Sequence, residues 1–295
     1  LVGINSLKET TTASNNTAIG TDSLKLNTTG YNNVAVGINA LDANTTGYTN
    51  TGVGGFALSS NTTGNHNTAH GFYALQANTT GAYNIAIGNY ALDTNTDANH
   101  NLAIGYYAMD ANTSGSANVS IGNYSLDANT TGANNISIGY LALSANTTGG
   151  ANVAVGNYSL DANTTGSYNT AVGQYAGSKN TTASYNTAMG EVALSENTTG
   201  AYNTAIGARA LQNNTTAEMN SAVGYESLYN CTTGSYNTAL GRGTLRYAST
   251  ATNNTAVGSY SQYNTTTGGA NCSLGSNTLY DNTTGADNVA IGYDA

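Results

Sequence analysis

The residues able to do chemistry are few, and their spacing limits what they can do. The histidines are His66, His70 and His100. Tyr83 lies midway between His66 and His100, so these two cannot share one metal ion. His70 replaces an aliphatic residue and reads as a tolerated core defect. Asp93, Asp110 and Asp127 recur at intervals of 17 residues. Carboxylates stacked about 5 Å apart repel, and an oxygen-preferring cation such as Ca²⁺ could bridge them. A solvated acidic stripe is the simpler reading, so these three are weak metal candidates. Tyr73, Tyr90, Tyr107 and Tyr124 repeat at the same interval, and Tyr168, Tyr185 and Tyr202 form a second run. A tyrosine offers a flat apolar face with a polar tip, which suits sugar rings. The same rows would also stabilise a sheet by themselves.

The commonest motif is N-x-S/T. At one position of a 17-residue repeat it begins at Asn27, Asn44, Asn61, Asn78, Asn112, Asn129, Asn146, Asn163, Asn180, Asn197, Asn214 and Asn282. In a host that N-glycosylates, these would carry a row of sugars along one edge. The N-T-T-G stretch that contains most of them is equally turn chemistry.

One element positions all of these residues. A glycine recurs every 17 residues from Gly3 to Gly292 without insertion or deletion. Four residues before it, from Gly20 on, stands an asparagine. With the repeat glycine as position 0, the consensus is N-T-A-V-G-x-x-A-L-x-x-N-T-T-G-x-x. A fixed short period marks a solenoid. The stretch from −4 to −1, rich in β-branched residues and bounded by glycine, reads as a strand. A second strand is expected around +2 to +6, with corners at the repeat glycine and at N-T-T-G, whose glycine would supply positive φ. The absence of proline agrees with strands that hydrogen-bond on both sides. The expectation is an all-β, parallel β-solenoid of about 17 coils in one uninterrupted array over residues 1–295. At about 4.8 Å per coil that is a rod on the order of 80 Å. The −4 asparagines (Asn84, Asn118, Asn152, Asn186) and the repeat glycines (Gly88, Gly122, Gly156, Gly190) form its structural ladder, with stacked amides bonding along the axis.

Position −1 is large and apolar and is expected to be buried. Position −2 stays Ala, Ser or Gly, as in Ala86 and Ala154, and +3 stays small, as in Ala91. Both faces therefore read as packed, one inside the coil and one against a neighbouring chain. A homo-oligomer follows, with a trimer or an end-to-end filament as its form. A very flat coil whose walls nearly touch would explain the same pattern.

Only 7% of residues are charged, and the net charge is −9 with six basic residues. That leaves no basic footprint for nucleic acid or anionic lipid. No apolar run reaches membrane-spanning length. Without inserted loops to carry catalytic groups, no enzyme activity and no cofactor is expected. Cys231 and Cys272 stand on different parts of the coil and more than two coils apart, beyond disulfide reach. The chain starts and stops in mid-repeat without polar caps, so it reads as a segment of a longer fibre.

The unit, as in Asn163 to Gly166 and Asn169 to Gly173, resembles repeats of viral and bacterial tail-fibre-like proteins. Its core, in Asn84 to Ala91 and Asn118 to Ser125, is similar to the head repeat of trimeric autotransporter adhesins, the YadA-like β-roll. The resemblance implies a left-handed parallel β-roll, usually trimeric, displayed outside a cell or on a virion. The expected role is a structural extracellular or virion-surface fibre giving reach and multivalent attachment. Two alternatives stand beside it: an ice-binding solenoid using the Thr ladders at +8 and +9, and an adhesin that binds cell-surface glycans through the Tyr rows.

Overall fold

A computed structural model describes residues 2–295. The chain divides into two compact units, one up to Gly150 and one from Ala151. Each unit is a stack of coils with one three-residue strand per coil. The first runs from β1 (Thr17–Ile19) to β8 (Ile136–Ile138). The second runs from β9 (Val153–Val155) to β17 (Val289–Ile291). Within each unit adjacent strands are parallel and in register one coil apart. Ala86 pairs with Ala103 and Ala103 with Ser120 in the first, and Ala171 with Ala188 in the second. The fold is thus the parallel β-solenoid of 17-residue coils that the period predicts.

The inside and outside of the strand are the reverse of the expectation. Position −2 points inward: Ala18, Ala86 and Ala154 have no exposed surface. Position −1 points outward, and Ile19, Ile87 and Leu240 are 43%, 40% and 48% exposed. The cause is the flatness of the coil. A Cβ on Gly52 would lie 3.2 Å from the Ala57 carbonyl oxygen and 3.4 Å from Leu41 of the preceding coil. The Ser120 hydroxyl donates to the Ser125 carbonyl at 2.7 Å across the same gap. The small residues at −2 and +3 face each other inside, so neither reports an outer packed face. His70, at −1, is therefore exposed on the strand face and is not a core defect.

The stretch from +2 to +6 is a turn, not a second strand. Tyr90 at +2 and Leu92 at +4 have φ of 59° and 54°, and Tyr83 at −5 has 60°. A regular strand would send +3 and +4 to opposite faces. The left-handed residues break that alternation, and Ala91 and Leu92 both point inward, fully buried. Left-handed backbone costs about 1–2 kcal/mol per residue. Burial of the leucine returns about 1.5–3 kcal/mol. Backbone bonds to both neighbouring coils persist, with Tyr90 N donating to Phe72 O and Leu92 N to Ala108 O, each at 2.9 Å.

Two glycine rows differ in their reason. Gly156 has φ of +133°, and a Cβ there would meet the Gly173 carbonyl oxygen at 2.6 Å. The glycine of N-T-T-G does not supply positive φ. At Gly47 a Cβ would meet the Gly64 carbonyl oxygen at 2.6 Å and crowd Asn44 Oδ1, so contact with neighbours keeps it small.

Candidate attachment surface

The amide ladder runs along +7, not along −4. Asn44 Nδ2 donates to Asn27 Oδ1 at 2.8 Å and to the Gly47 carbonyl at 3.0 Å. Asn129 repeats this with Asn112 and Gly132, and Asn180 with Asn163 and Ala183. The −4 asparagines instead bracket backbone. Asn84 Nδ2 donates to the Ala98 carbonyl at 2.8 Å, and its Oδ1 accepts from Asn101 N at 3.0 Å. Asn118, Asn152 and Asn186 likewise donate to the carbonyls of Gly132, Gly166 and Gly200. In the second unit some −4 amides also touch, as Asn237 Nδ2 to Asn220 Oδ1 at 3.2 Å.

This arrangement decides where the sequons sit. Asn27, Asn44, Asn61, Asn78, Asn112, Asn129, Asn146, Asn163, Asn180, Asn197 and Asn214 are all buried, with side-chain amides bonded inside the coil. Asn282 alone among these positions is half-buried. The folded units do not present the row of sugar acceptors that the motif count suggests.

Asp93, Asp110 and Asp127 follow one another coil by coil, each half-buried. Loss of solvent, and next the charge of Asp110, pushes Asp93 up to about 6. Burial also raises Asp110 and Asp127. Among the described residues no group of His, Cys, Asp or Glu is arranged to hold a metal ion. His66, Tyr83 and His100 form a continuous ring stack, with centroids 4.9 and 5.1 Å apart, as their shared position requires.

The tyrosine row at +2 uses its own ring faces. Phe56, Tyr73, Tyr90, Tyr107 and Tyr124 stack at 5.0, 5.5, 4.8 and 5.8 Å with planes within 12° of parallel. These faces are not free to receive a ligand. Beside this row, one position earlier at +1, are exposed aromatics: Phe72, Tyr106 and Tyr140, at 41%, 41% and 42% exposure. Tyr106 stands 89° to Tyr107 with centroids 4.5 Å apart, and Phe72 stands 82° to Tyr73 at 4.2 Å. Both faces of Tyr107 are taken by Tyr90 and Tyr124. So close a perpendicular approach must set the edge of Tyr107 against one face of Tyr106. Beyond this column Tyr106 meets no other ring among the described residues. These three rings recur every second coil, so a search for residues repeating in every coil misses them.

The second unit carries Tyr168, Tyr185 and Tyr202 as a parallel stack at 5.0 Å spacing. It also carries a nest around Arg246. The guanidinium donates to Glu226 at 2.8 Å and to the hydroxyls of Tyr247 and Tyr263 at 2.6 and 3.3 Å. Partial burial pushes the Glu226 carboxyl up, but hydrogen bonding and charge from Arg246 hold it below the usual carboxylate range. Its charge is thus paired with the Glu226 carboxylate. A 660 Å³ groove beside it is lined by Tyr247, Tyr263 and the +6 and +8 side chains of adjacent coils.

No family model, no curated protein and no solved structure matches the chain.

Proposed function

We propose that this chain is a structural element of an extracellular or virion-surface fibre that self-associates and serves multivalent attachment. The supporting observation is the outward strand face. Positions −3 and −1 carry Thr, Val, Ile, Leu and Met in almost every coil, without one Asp, Glu, Lys or Arg between Thr17 and Ile291. Ile85, Ile87, Ile136, Ile206 and Leu274 on it are 38–50% exposed. An uncharged apolar sheet face of this kind marks an interaction surface, and the regular partner for a repeating face is a second copy of the same repeat. A homotrimer is the favoured form, because the adhesin heads that the repeat resembles are trimeric. The resemblance to tail-fibre-like and YadA-like proteins supports surface display.

Sedimentation of the full chain tests this reading. A homotrimer is expected, and Ile87→Lys with Ile104→Lys should shift it to monomer while the β-type circular dichroism persists. A stable, monodisperse wild-type monomer would sink the proposal.

A further inference from the structure

We infer that Phe72, Tyr106 and Tyr140 form a linear platform for an extended, neutral β-1,4-linked polysaccharide of the cellulose or chitin kind. The inference rests on the attachment reading and names its ligand class. All three rings lie in the first unit, at the same position of alternate coils. Two coils advance about 9.6 Å along the axis at strand-pair spacing. In a β-1,4-linked pyranose chain each ring is turned over relative to the last, so every second sugar presents the same face. A row of aromatic faces set two coils apart meets every second sugar of such a chain. An α-linked, helically coiled glucan offers no straight row of like faces.

The residues between the rings fit the same ligand. Asn89 and Asn123 occupy +1 in the intervening coils and are exposed. Their Oδ1 atoms accept from Phe72 N and Tyr106 N, both at 3.0 Å. No acceptor among the described residues meets their Nδ2 groups, so these donors remain for sugar hydroxyls. The platform thus alternates stacking face and amide donor: Phe72, Asn89, Tyr106, Asn123, Tyr140. Charge narrows the class further. Asp93, Asp110 and Asp127 lie four positions beyond Asn89, Tyr106 and Asn123, and the basic residues of the first unit are Lys8 and Lys25. An anionic glycan such as a uronate polymer would be repelled. The stacked +2 column stands against Phe72 and Tyr106, at 4.2 and 4.5 Å between ring centroids, so little side-chain freedom is lost at these two rings on binding.

The test is retention of the full chain on microcrystalline cellulose and on chitin, with calorimetry against cellohexaose and chitohexaose and with amylose as the linkage control. Retention on at least one β-1,4 polymer, and not on amylose, is expected. Phe72→Ala, Tyr106→Ala and Tyr140→Ala should each weaken binding about three- to tenfold, the range set by one aromatic contact. The triple variant should not be retained, and Tyr106→Phe should bind as wild type. Deleting one whole coil, residues 107–123, keeps all three platform rings and the repeat register but sets Tyr106 and Tyr140 in adjacent coils. It should bind more weakly than wild type. No retention on either β-1,4 polymer, equal retention on amylose, or undiminished binding by the triple or the coil-deleted variant each overturns the inference. Circular dichroism confirms that each variant is folded. Sedimentation of the same samples reads the fibre proposal separately, since a trimer that binds no glycan would leave that proposal standing.

Discussion

Cys231 stands where Asn214 needs a hydrogen-bond donor. In the coils before it, each +7 amide gives a proton to the preceding asparagine, as Asn214 does to Asn197 at 2.8 Å. Cys231 instead turns its thiol to the Gly234 carbonyl at 3.0 Å. The Oδ1 of Asn214 is left buried without a partner. Burial pushes the thiol up to about 12, so it stays protonated and cannot act as a reactive thiolate at neutral pH. Both cysteines are free.

Cys231→Asn should therefore move the defect without removing it. It supplies the donor that Asn214 lacks but sets its own Oδ1 against the buried Ala248, which has none to give. Denaturant melts of the two proteins should show midpoints that nearly coincide. A variant more stable by about 1–3 kcal/mol, the cost of an unsatisfied buried acceptor, would mean that the new oxygen finds a donor elsewhere.

Replacing a repeat glycine should destabilise the second unit. Gly156→Ala places a methyl 2.6 Å from the Gly173 carbonyl oxygen in a backbone region of φ +133°. Nothing flexible can move aside, because the clash is with backbone of the next coil. A loss of about 3 kcal/mol or more is expected from backbone strain and the displaced ladder. Thermal unfolding followed by circular dichroism measures it.

Asp93 gives the stability a pH dependence with a definite sign. Its folded value of about 6 lies above the ordinary 3.8, so the folded chain binds more protons than the unfolded one between those values. Stability should rise as pH falls from 7 towards 4, and Asp110 and Asp127 act in the same direction. Asp93→Asn should stabilise at pH 7 by about 1 kcal/mol, once solvent screening of a half-exposed group is allowed for. It should also flatten the slope. Melting temperatures at pH 4.5, 6 and 7.5 check this, and a wild-type chain that is most stable at pH 7.5 would contradict it.

What the sequence discloses, and what it hides, follows from how the coil is built. The period alone is enough for the parallel stack, because only one-to-one stacking keeps Gly88 over Gly105 and Asn84 beside Asn101. It does not say which strand face is inside. Ile87 looks like core and Ala86 like surface until the second wall, with Ala91 and Leu92, is seen to lie in contact. It does not show which of two asparagine rows carries the amide ladder: the −4 row is unbroken and the +7 row is interrupted at Cys231, Ala248 and Thr265, yet the ladder runs through Asn78 and not Asn84. The left-handed backbone at Tyr90 and Leu92 has no sequence signal, because neither is Gly, Asn or Asp. The platform rings of Phe72, Tyr106 and Tyr140 fall on a two-coil period that the one-coil repeat masks.

The buried ladder also predicts the fate of the sequons. Asn129 has no exposed surface, and its Nδ2 donates to Asn112 and to Gly132. A glycan on that nitrogen would need the space of the neighbouring coil and would remove a ladder bond. Expressed in a glycosylating host, the folded fraction should carry no glycan on the buried asparagines of this row from Asn27 to Asn214, whereas Asn282 and exposed N-x-S/T asparagines outside the row, such as Asn15, Asn123 and Asn253, stay open to modification. Folded protein with a glycan on Asn129, found by mass spectrometry, would contradict the ladder.

The threonine rows separate the fibre reading from ice binding. Hydroxyls that order ice must be free and regularly spaced on a flat face. At +8 they are engaged, with Thr28 Oγ1 donating to the Thr45 carbonyl at 3.0 Å and Thr198 Oγ1 to the Thr215 carbonyl at 2.9 Å. At +9, Thr46, Thr63 and Thr199 are exposed but form one row, and Asp97 interrupts it. On the strand face, Thr51 and Thr68 give way to Ile85, Leu102 and Val119. No thermal hysteresis is expected from the purified chain, and Thr199→Tyr should leave freezing behaviour unchanged. Hysteresis that Thr199→Tyr abolishes would replace attachment by ice recognition as the function of these coils.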